Sequence, residues 1–119
     1  MKLLTKALMT KLLKNGAEQA KVKGTKAERD FVPVVKFFGG GAMTWLITEM
    51  DEDGDTLFGL CDIGQGCAEL GSVSLRELQS LKFPPFGLGI ERDLWFKPTK
   101  PLSVYAKAAR REGRIVEDV

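Results

Sequence analysis

The sequence predicts a small α+β domain in which a mainly antiparallel sheet of four to five strands packs with three helices. Between positions 31 and 74, segments rich in β-branched and aromatic residues alternate with turn residues. Helical patterns occur near both ends and after position 74. The early strands are joined by turns too short for parallel crossovers, so they should form a meander. With 119 residues, 44% of them hydrophobic, the chain has the size of a single domain, 1–119.

The first predicted element is an N-terminal helix that begins after Thr5, whose hydroxyl can cap it. The apolar residues that follow recur at helical spacing and would lie on one side. Asn15 and Gly16 tolerate left-handed backbone, and they therefore predict the end of this helix. Residues 17–30 contain one large apolar residue, Val22, and this composition indicates a mobile basic loop.

The predicted strands follow this loop. The meander consists of three segments: residues 31–38, 44–50 and 56–63. Three consecutive glycines separate the first two strands, and the sequence DEDGD separates the second from the third. DEDGD has the acids and the glycine of a tight hairpin loop, with Gly54 free to take a positive φ. Residues 68–74 predict a short fourth strand, and residues 88–96 predict a further one.

Two more helices complete the pattern. Ser74 followed by Glu77 forms a capping box, which predicts a short middle helix that continues to about Leu81. Residues 101–112 place an apolar stripe opposite basic side chains, and Gly113 ends this C-terminal helix.

Charge is strongly segregated along the chain, although the net charge is only +2. Residues 1–36 hold nine Lys or Arg and three acids, whereas residues 37–75 hold seven acids and no Lys or Arg. Residues 76–119 hold nine Lys or Arg and six acids. This asymmetry can mark two surfaces for different partners. In the alternative interpretation, the basic ends pack beside the acidic middle and the charges only keep the domain in solution.

Composition also excludes several classes of protein. The chain has no histidine, which removes the usual general base, the Ser-His and Cys-His nucleophile pairs and the commonest nitrogen ligand of zinc. Two cysteines are too few for a disulfide framework, and no apolar run reaches the ~20 residues that cross a bilayer. We therefore expect a cytoplasmic protein with no membrane segment, no metal and no cofactor, and we favour a protein that is not an enzyme.

The acidic middle nevertheless raises the question of a calcium site. Four aspartates have the spacing of positions 1, 3, 5 and 12 of an EF-hand loop: Asp51, Asp53, Asp55 and Asp62. Thr56, however, stands where that loop needs glycine, and the residues after it favour a strand. Strand alternation would place Cys61 and Asp62 on opposite faces, and the spacing from Cys61 to Cys67 is not that of a zinc ribbon. The pattern indicates a hairpin turn.

Nucleic-acid binding is an alternative that rests on the first and last helices. Their basic side chains could contact phosphates without base specificity: Lys11, Lys14, Lys107, Arg110 and Arg111. The pI of about 8.6 and the acidic middle weaken this alternative. Trp45, Trp95 and Phe96 fall in predicted strands, and such residues are more often core than stacking platforms.

Several ordered blocks of the sequence resemble the family called domain of unknown function 2958. They are VPVVKFF, TWLITEMD, FGLCDIGQGCAELGSVSLREL, GIERDLWFKP and LSVYAKAARREGRIVE. The resemblance covers nearly the whole chain. It implies a small stand-alone protein of bacteria, plasmids, phages and other mobile elements, and it implies no particular reaction.

Two groups of side chains are candidate sites. The first is an acidic surface for a protein partner: Glu49, Asp51, Glu52, Asp53 and Asp55. The second is a polar cluster on the sheet, either a structural ion pair or a binding patch: Asp62, Arg92 and Asp93. We expect a non-enzymatic protein-binding accessory module of a mobile genetic element, with an anti-defence or regulatory role. A small carboxylate- or thiol-dependent enzyme and a non-specific nucleic-acid-binding protein are the alternatives.

Overall fold

A computed structural model describes residues 2–119 and shows five strands and three helices in this range. In chain order they are α1 (Lys6–Val22), β1 (Val35–Gly39), β2 (Met43–Met50), β3 (Thr56–Asp62), β4 (Glu69–Ser74), α2 (Leu75–Ser80), β5 (Glu91–Arg92) and α3 (Leu102–Glu112). All pairings are antiparallel, in the order β4-β3-β2-β1-β5. The predicted α+β class, the meander and the three helices are confirmed.

Both faces of the sheet are covered, because successive side chains of a strand point to opposite faces. One face buries Phe37 and Ile47 against Leu12 of α1 and Leu78 of α2. The other face buries a second core against α3: Leu46, Leu60, Leu102, Tyr105 and Ala109. The protein therefore has three layers, with α1 and α2 on one side of the sheet and α3 on the other.

The prediction that α1 ends at Asn15 and Gly16 is wrong, since the helix continues to Val22. At this point α1 lies directly on the end of β2, and a Cβ on Gly16 would collide with the carbonyl oxygen of Met50. The side-chain amide of Asn15 donates to the carbonyl of Thr48 at 2.9 Å. Tertiary packing of this kind supplies most helix stability in proteins and outweighs a local stop signal.

The loop predicted for residues 17–30 is therefore wrong over residues 17–22, which are helical. The buried side chain of Gln19 accepts a hydrogen bond from the Arg29 amide at 2.8 Å and donates to the Arg29 carbonyl at 2.7 Å. Arg29 in turn lies over the ring of Phe31, 4.8 Å from its centroid. These contacts tie the end of the connection back to α1.

Two strands are shorter than the sequence predicts. The strand expected over residues 88–96 is reduced to β5, because the Asp93 side chain accepts a hydrogen bond from the Trp95 amide at 2.8 Å and turns the chain. The first strand begins at Val35 instead of residue 31, so Pro33 precedes the regular pairing.

The predicted caps are confirmed. Thr5 Oγ accepts a hydrogen bond from the Leu8 amide at 3.2 Å, and Ser74 Oγ accepts one from the Glu77 amide at 3.2 Å. Gly113 ends α3 with a φ of 76°. Within the range that the model describes, no helix has both the length and the apolar character needed to cross a membrane.

Candidate functional site

The acidic turn between β2 and β3 is shaped by one of its own carboxylates. Asp53 accepts hydrogen bonds from the amides of Asp55 and Thr56, both at 2.8 Å, and from the Thr56 hydroxyl at 2.6 Å. The Asp51 amide donates to the Thr56 carbonyl at 2.8 Å and closes the turn. The predicted hairpin is confirmed, and the carboxylate of Asp53 is directed into the turn.

Asp55 has a second structural role, at the start of α2. Its carboxylate accepts hydrogen bonds from the Ser74 hydroxyl at 2.7 Å and from the Arg76 amide at 2.8 Å. It therefore holds the first turn of α2 next to the hairpin. Two of the five acids in the predicted partner surface thus stabilise the fold around them.

These hydrogen bonds predict a loss of stability in acid. The Thr56 hydroxyl and backbone amides lower the pKa of Asp53, and the Ser74 hydroxyl and the Arg76 amide lower the pKa of Asp55. Because the unfolded chain binds these protons at higher pH, the stabilisation is complete above an unfolded pKa of about 3.9 and is lost as pH falls through the lower folded values.

We expect urea unfolding midpoints at pH 7 and pH 3 to differ less in the double variant Asp53→Asn, Asp55→Asn than in the parent. Asparagine keeps the size of each side chain but cannot change its charge with pH. Glu52→Asn serves as the control, since Glu52 is exposed and accepts none of the turn hydrogen bonds. Equal pH dependence in the double variant and the parent would contradict this assignment.

A groove runs between this turn and α1. The cavity has a volume of about 680 Å³. One wall is acidic and the other consists of small and apolar helix residues: Asp51, Glu52 and Asp53 face Leu13, Gly16, Ala17 and Ala20. The two alanines are exposed, and their short side chains leave the space open. We call this feature the acidic groove.

Glu49 lies outside the acidic groove because β2 contains a bulge. Ile47 pairs with Gly59 but Glu49 pairs with Phe58, so residue 48 is an extra residue that changes the alternation. Glu49 therefore lines another cavity of about 350 Å³, together with Phe58 and Leu70. Burial raises the pKa of Glu49, while its hydrogen bond with Thr48 opposes this effect. The predicted acidic surface is thus divided between two sites.

A family model described as "Protein of unknown function (DUF2958)" matches residues 3–116. The chain belongs to this family. No curated protein and no solved structure matches this DUF2958 chain.

The polar cluster predicted for the DUF2958 chain is not assembled. Asp62 is buried at the end of β3 and accepts hydrogen bonds from the amides of Gly64 at 2.8 Å and Ile115 at 3.0 Å. Two strands separate it from β5, which carries Arg92. The Arg92 guanidinium donates to the Leu3 carbonyl at 2.8 Å.

Asp93 also acts separately. Its carboxylate lies 3.6 Å from the Lys36 ammonium, which in turn is 2.6 Å from Glu117. All three predicted members of the cluster thus have local structural partners, and none of these contacts forms a shared binding patch.

Neither cysteine of the DUF2958 chain is activated. Cys61 packs against the core beneath α1, and burial raises its pKa to about 11. Cys67 is exposed, and its thiol donates a hydrogen bond to Glu69 at 3.4 Å, which together with the charge of Glu69 raises its pKa. Residues 2–119 contain no grouping of three or more carboxylates and thiols that could hold a metal ion.

Native alkylation should therefore separate the two thiols. With iodoacetamide at pH 8, we expect Cys67 to be modified first and Cys61 to react only when the protein unfolds. Only the thiolate attacks, and with a pKa of about 11 roughly one Cys61 in a thousand is ionised at pH 8. Peptide mass spectrometry of the timed reaction measures both sites. Faster labelling of Cys61 than of Cys67 would show that the Cys61 thiol is not protected by the core.

The predicted nucleic-acid contacts lie on two different sides of the molecule. Lys11 and Lys14 are exposed on α1, whereas Lys107, Arg110 and Arg111 are exposed on α3, beyond the opposite face of the sheet. Arg111 also pairs with Glu112 at 3.1 Å. The five residues therefore cannot form one continuous surface, and any contact through them involves two separate faces.

The sequence interpretation missed the exposure of one tryptophan. Trp45 is buried in β2, as expected, but Trp95 is 84% exposed. The sequence signal for this exposure is Asp93, because an Asp two residues before Trp95 can form a turn and end the strand.

Proposed function

We propose that the DUF2958 chain is a non-enzymatic protein-binding accessory module of a mobile genetic element, acting in the cytoplasm, with a regulatory or anti-defence role. The acidic groove is the observation that carries the proposal. The genomic setting rests on what the family resemblance implies. The partner would be a protein that presents a basic, partly apolar segment to the groove.

The walls of the groove favour this chemistry. Leu13, Ala17 and Ala20 offer apolar surface close to the helix backbone, which suits small or aliphatic side chains of a partner helix. Asp51 and Glu52 are exposed on the opposite wall, and neither takes part in an ion pair among the described residues. Their charges can therefore attract Lys or Arg, which would raise the association rate and fix the orientation of the partner.

The thiol-dependent alternative has less support. A nucleophilic cysteine needs a lowered pKa, whereas burial raises the pKa of Cys61 and Glu69 raises that of Cys67. Two acidic residues of the hairpin, Asp53 and Asp55, are also engaged in shaping the turn and α2.

Site-specific crosslinking tests the proposed function. A photo-crosslinking amino acid placed at Ala20, in the groove, should capture a protein in the host that carries the element, and mass spectrometry should locate the crosslink in a basic segment. The same group placed at Ser72, on β4, is the control site. We expect at least tenfold more adduct from position 20.

Charge reversal tests the same proposal without the crosslinker. Glu52→Lys should reduce recovery of the captured protein about tenfold, while Asp118→Lys, an equal charge change at an exposed position away from the groove, should leave it unchanged. Capture of no protein from position 20, or equal loss in both variants, would overturn the proposal.

A further inference from the structure

Trp95 is held outside the protein by a well-fixed loop, which we define as the Trp95 loop (residues 93–101). Its amide donates a hydrogen bond to the Asp93 side chain, and the next residue, Phe96, is partly buried and packs against the core beneath α3. Farther along, the Thr99 amide donates to the Tyr105 hydroxyl at 3.1 Å. Because the backbone is anchored on both sides, the 84% exposure of the indole is a property of the folded loop.

The segment that carries the indole is rich in basic residues. From Leu94 to Arg111 the sequence contains five Lys or Arg and no Asp or Glu. Four of these bases are exposed and form no ion pair with any residue in the range 2–119: Lys97, Lys100, Lys107 and Arg110. Three carboxylates lie at the edges of this segment: Asp93 and Glu117 share the Lys36 ammonium at 3.6 and 2.6 Å, and Asp30 accepts hydrogen bonds from the Ser103 amide and hydroxyl.

α3 extends this basic surface away from the loop. It buries Leu102, Tyr105 and Ala109 against the sheet, which leaves Lys107 and Arg110 on its outer side, about one turn apart. The Trp95 loop leads directly into this helix at Pro101. An exposed aromatic ring is therefore followed by cations along one continuous segment.

We propose that the Trp95 loop and the outer side of α3 bind single-stranded nucleic acid. One base would stack on the indole of Trp95, and phosphates would contact Lys97 and Lys100 and continue toward Lys107. An exposed ring flanked by cations is the combination that recognises unpaired strands, since every base offers a π face for stacking and every nucleotide a negative charge. A duplex would not serve as well, because its base faces are hidden in the stack.

This site is independent of the acidic groove. The groove lies between α1 and the β2–β3 turn, whereas α3 covers the opposite face of the sheet. The proposed function can therefore fail while this inference holds, and the reverse is equally true. The five Lys or Arg of residues 94–111 favour a polyanion over an apolar protein surface as the ligand.

The intrinsic fluorescence of Trp95 provides the first test. Because Trp45 is only 3% exposed, quenching by an added ligand would report mainly on Trp95. We expect an oligothymidylate of about 16 nucleotides to quench the emission in a saturable manner at low salt. The apparent affinity should fall steeply as salt is raised, since binding to phosphates releases counterions.

Variants test the assignment of residues with a fluorescently labelled oligothymidylate and anisotropy. Trp95→Ala should weaken binding about tenfold, and Trp95→Phe should restore much of it because a phenyl ring still stacks. Lys97→Glu combined with Lys100→Glu should weaken binding at least tenfold. The matched control reverses two exposed lysines of α1, Lys11→Glu with Lys14→Glu, and should bind as the parent does.

Three results would overturn the inference. The first is the absence of saturable quenching at low salt, and the second is unchanged oligothymidylate binding by Trp95→Ala. The third is an equal loss of binding in the α1 control, which would indicate unspecific charge attraction. Thermal unfolding of each variant shows whether it is folded. If Trp95→Ala keeps oligothymidylate binding but loses the crosslink to the protein partner, Trp95 belongs to a protein interface and the nucleic-acid site is rejected.

Discussion

Replacing Gly16 by alanine should destabilise the protein by about 2–3 kcal/mol, although alanine is favoured over glycine inside a helix by about 1 kcal/mol. The sign is reversed because α1 and β2 are in backbone contact here. A Cβ on residue 16 would collide with the carbonyl oxygen of Met50 and lie 3.0 Å from its carbonyl carbon. The helix must then move away from the sheet, which disturbs the hydrogen bond from Asn15 to Thr48.

Urea unfolding followed by circular dichroism measures this change, and Gly71→Ala is the matched control. Gly71 lies in β4, where an added Cβ would meet nothing within 4 Å. We expect the control to differ from the parent by less than about 0.5 kcal/mol. A Gly16→Ala variant that is as stable as the parent, or more stable, would show that α1 does not lie this close to β2.

Asp62→Ala should lower the free energy of unfolding by about 2–4 kcal/mol, which is the second large effect. The buried carboxylate accepts hydrogen bonds from the Gly64 and Ile115 amides, and bonds to a charged acceptor each contribute about 1.5–3 kcal/mol. Gly64 is exposed, so water can replace the acceptor there. Ile115 is buried, and its amide would lose its partner inside the second core.

Amide hydrogen exchange identifies the cause of this loss. In Asp62→Ala, exchange at Ile115 should accelerate by more than the global change in stability, because the C-terminal segment detaches first. Asp118→Ala, which removes an exposed carboxylate from the same segment, should leave this rate unchanged. Unaltered protection of Ile115 in Asp62→Ala would refute the proposed role of the buried carboxylate.

The parts of the fold that could be predicted depend on local signals. The helix ends at Thr5, Ser74 and Gly113 are set by hydrogen bonds to residues within four positions. The DEDGD turn closes with its own side chains. The largest error, the predicted end of α1, occurred where distant residues decide the structure. α1 passes Asn15 because of contacts with β2, more than 30 residues away in the chain.

The candidate site was predictable only in part, for the same reason. Acidic residues close together in sequence suggested one surface, but a single extra residue in β2 directs Glu49 away from Asp51 and Glu52. No residue pattern specified that bulge. The opposing wall of the acidic groove comes from α1, in a segment that composition alone described as a loop. Its existence depends on the tertiary contact at Gly16.

The seating of α1 on β2 also has a consequence for the order in which the chain can fold during synthesis. The second half of α1 is synthesised before Thr48 and Met50, and it contains the glycine and few of the apolar residues that would stabilise an isolated helix. We expect this half to form no stable helix until the β2–β3 hairpin emerges and packs against it. The acidic groove would then be the last feature of the N-terminal half to form, and nascent chains that stop before residue 50 would lack it.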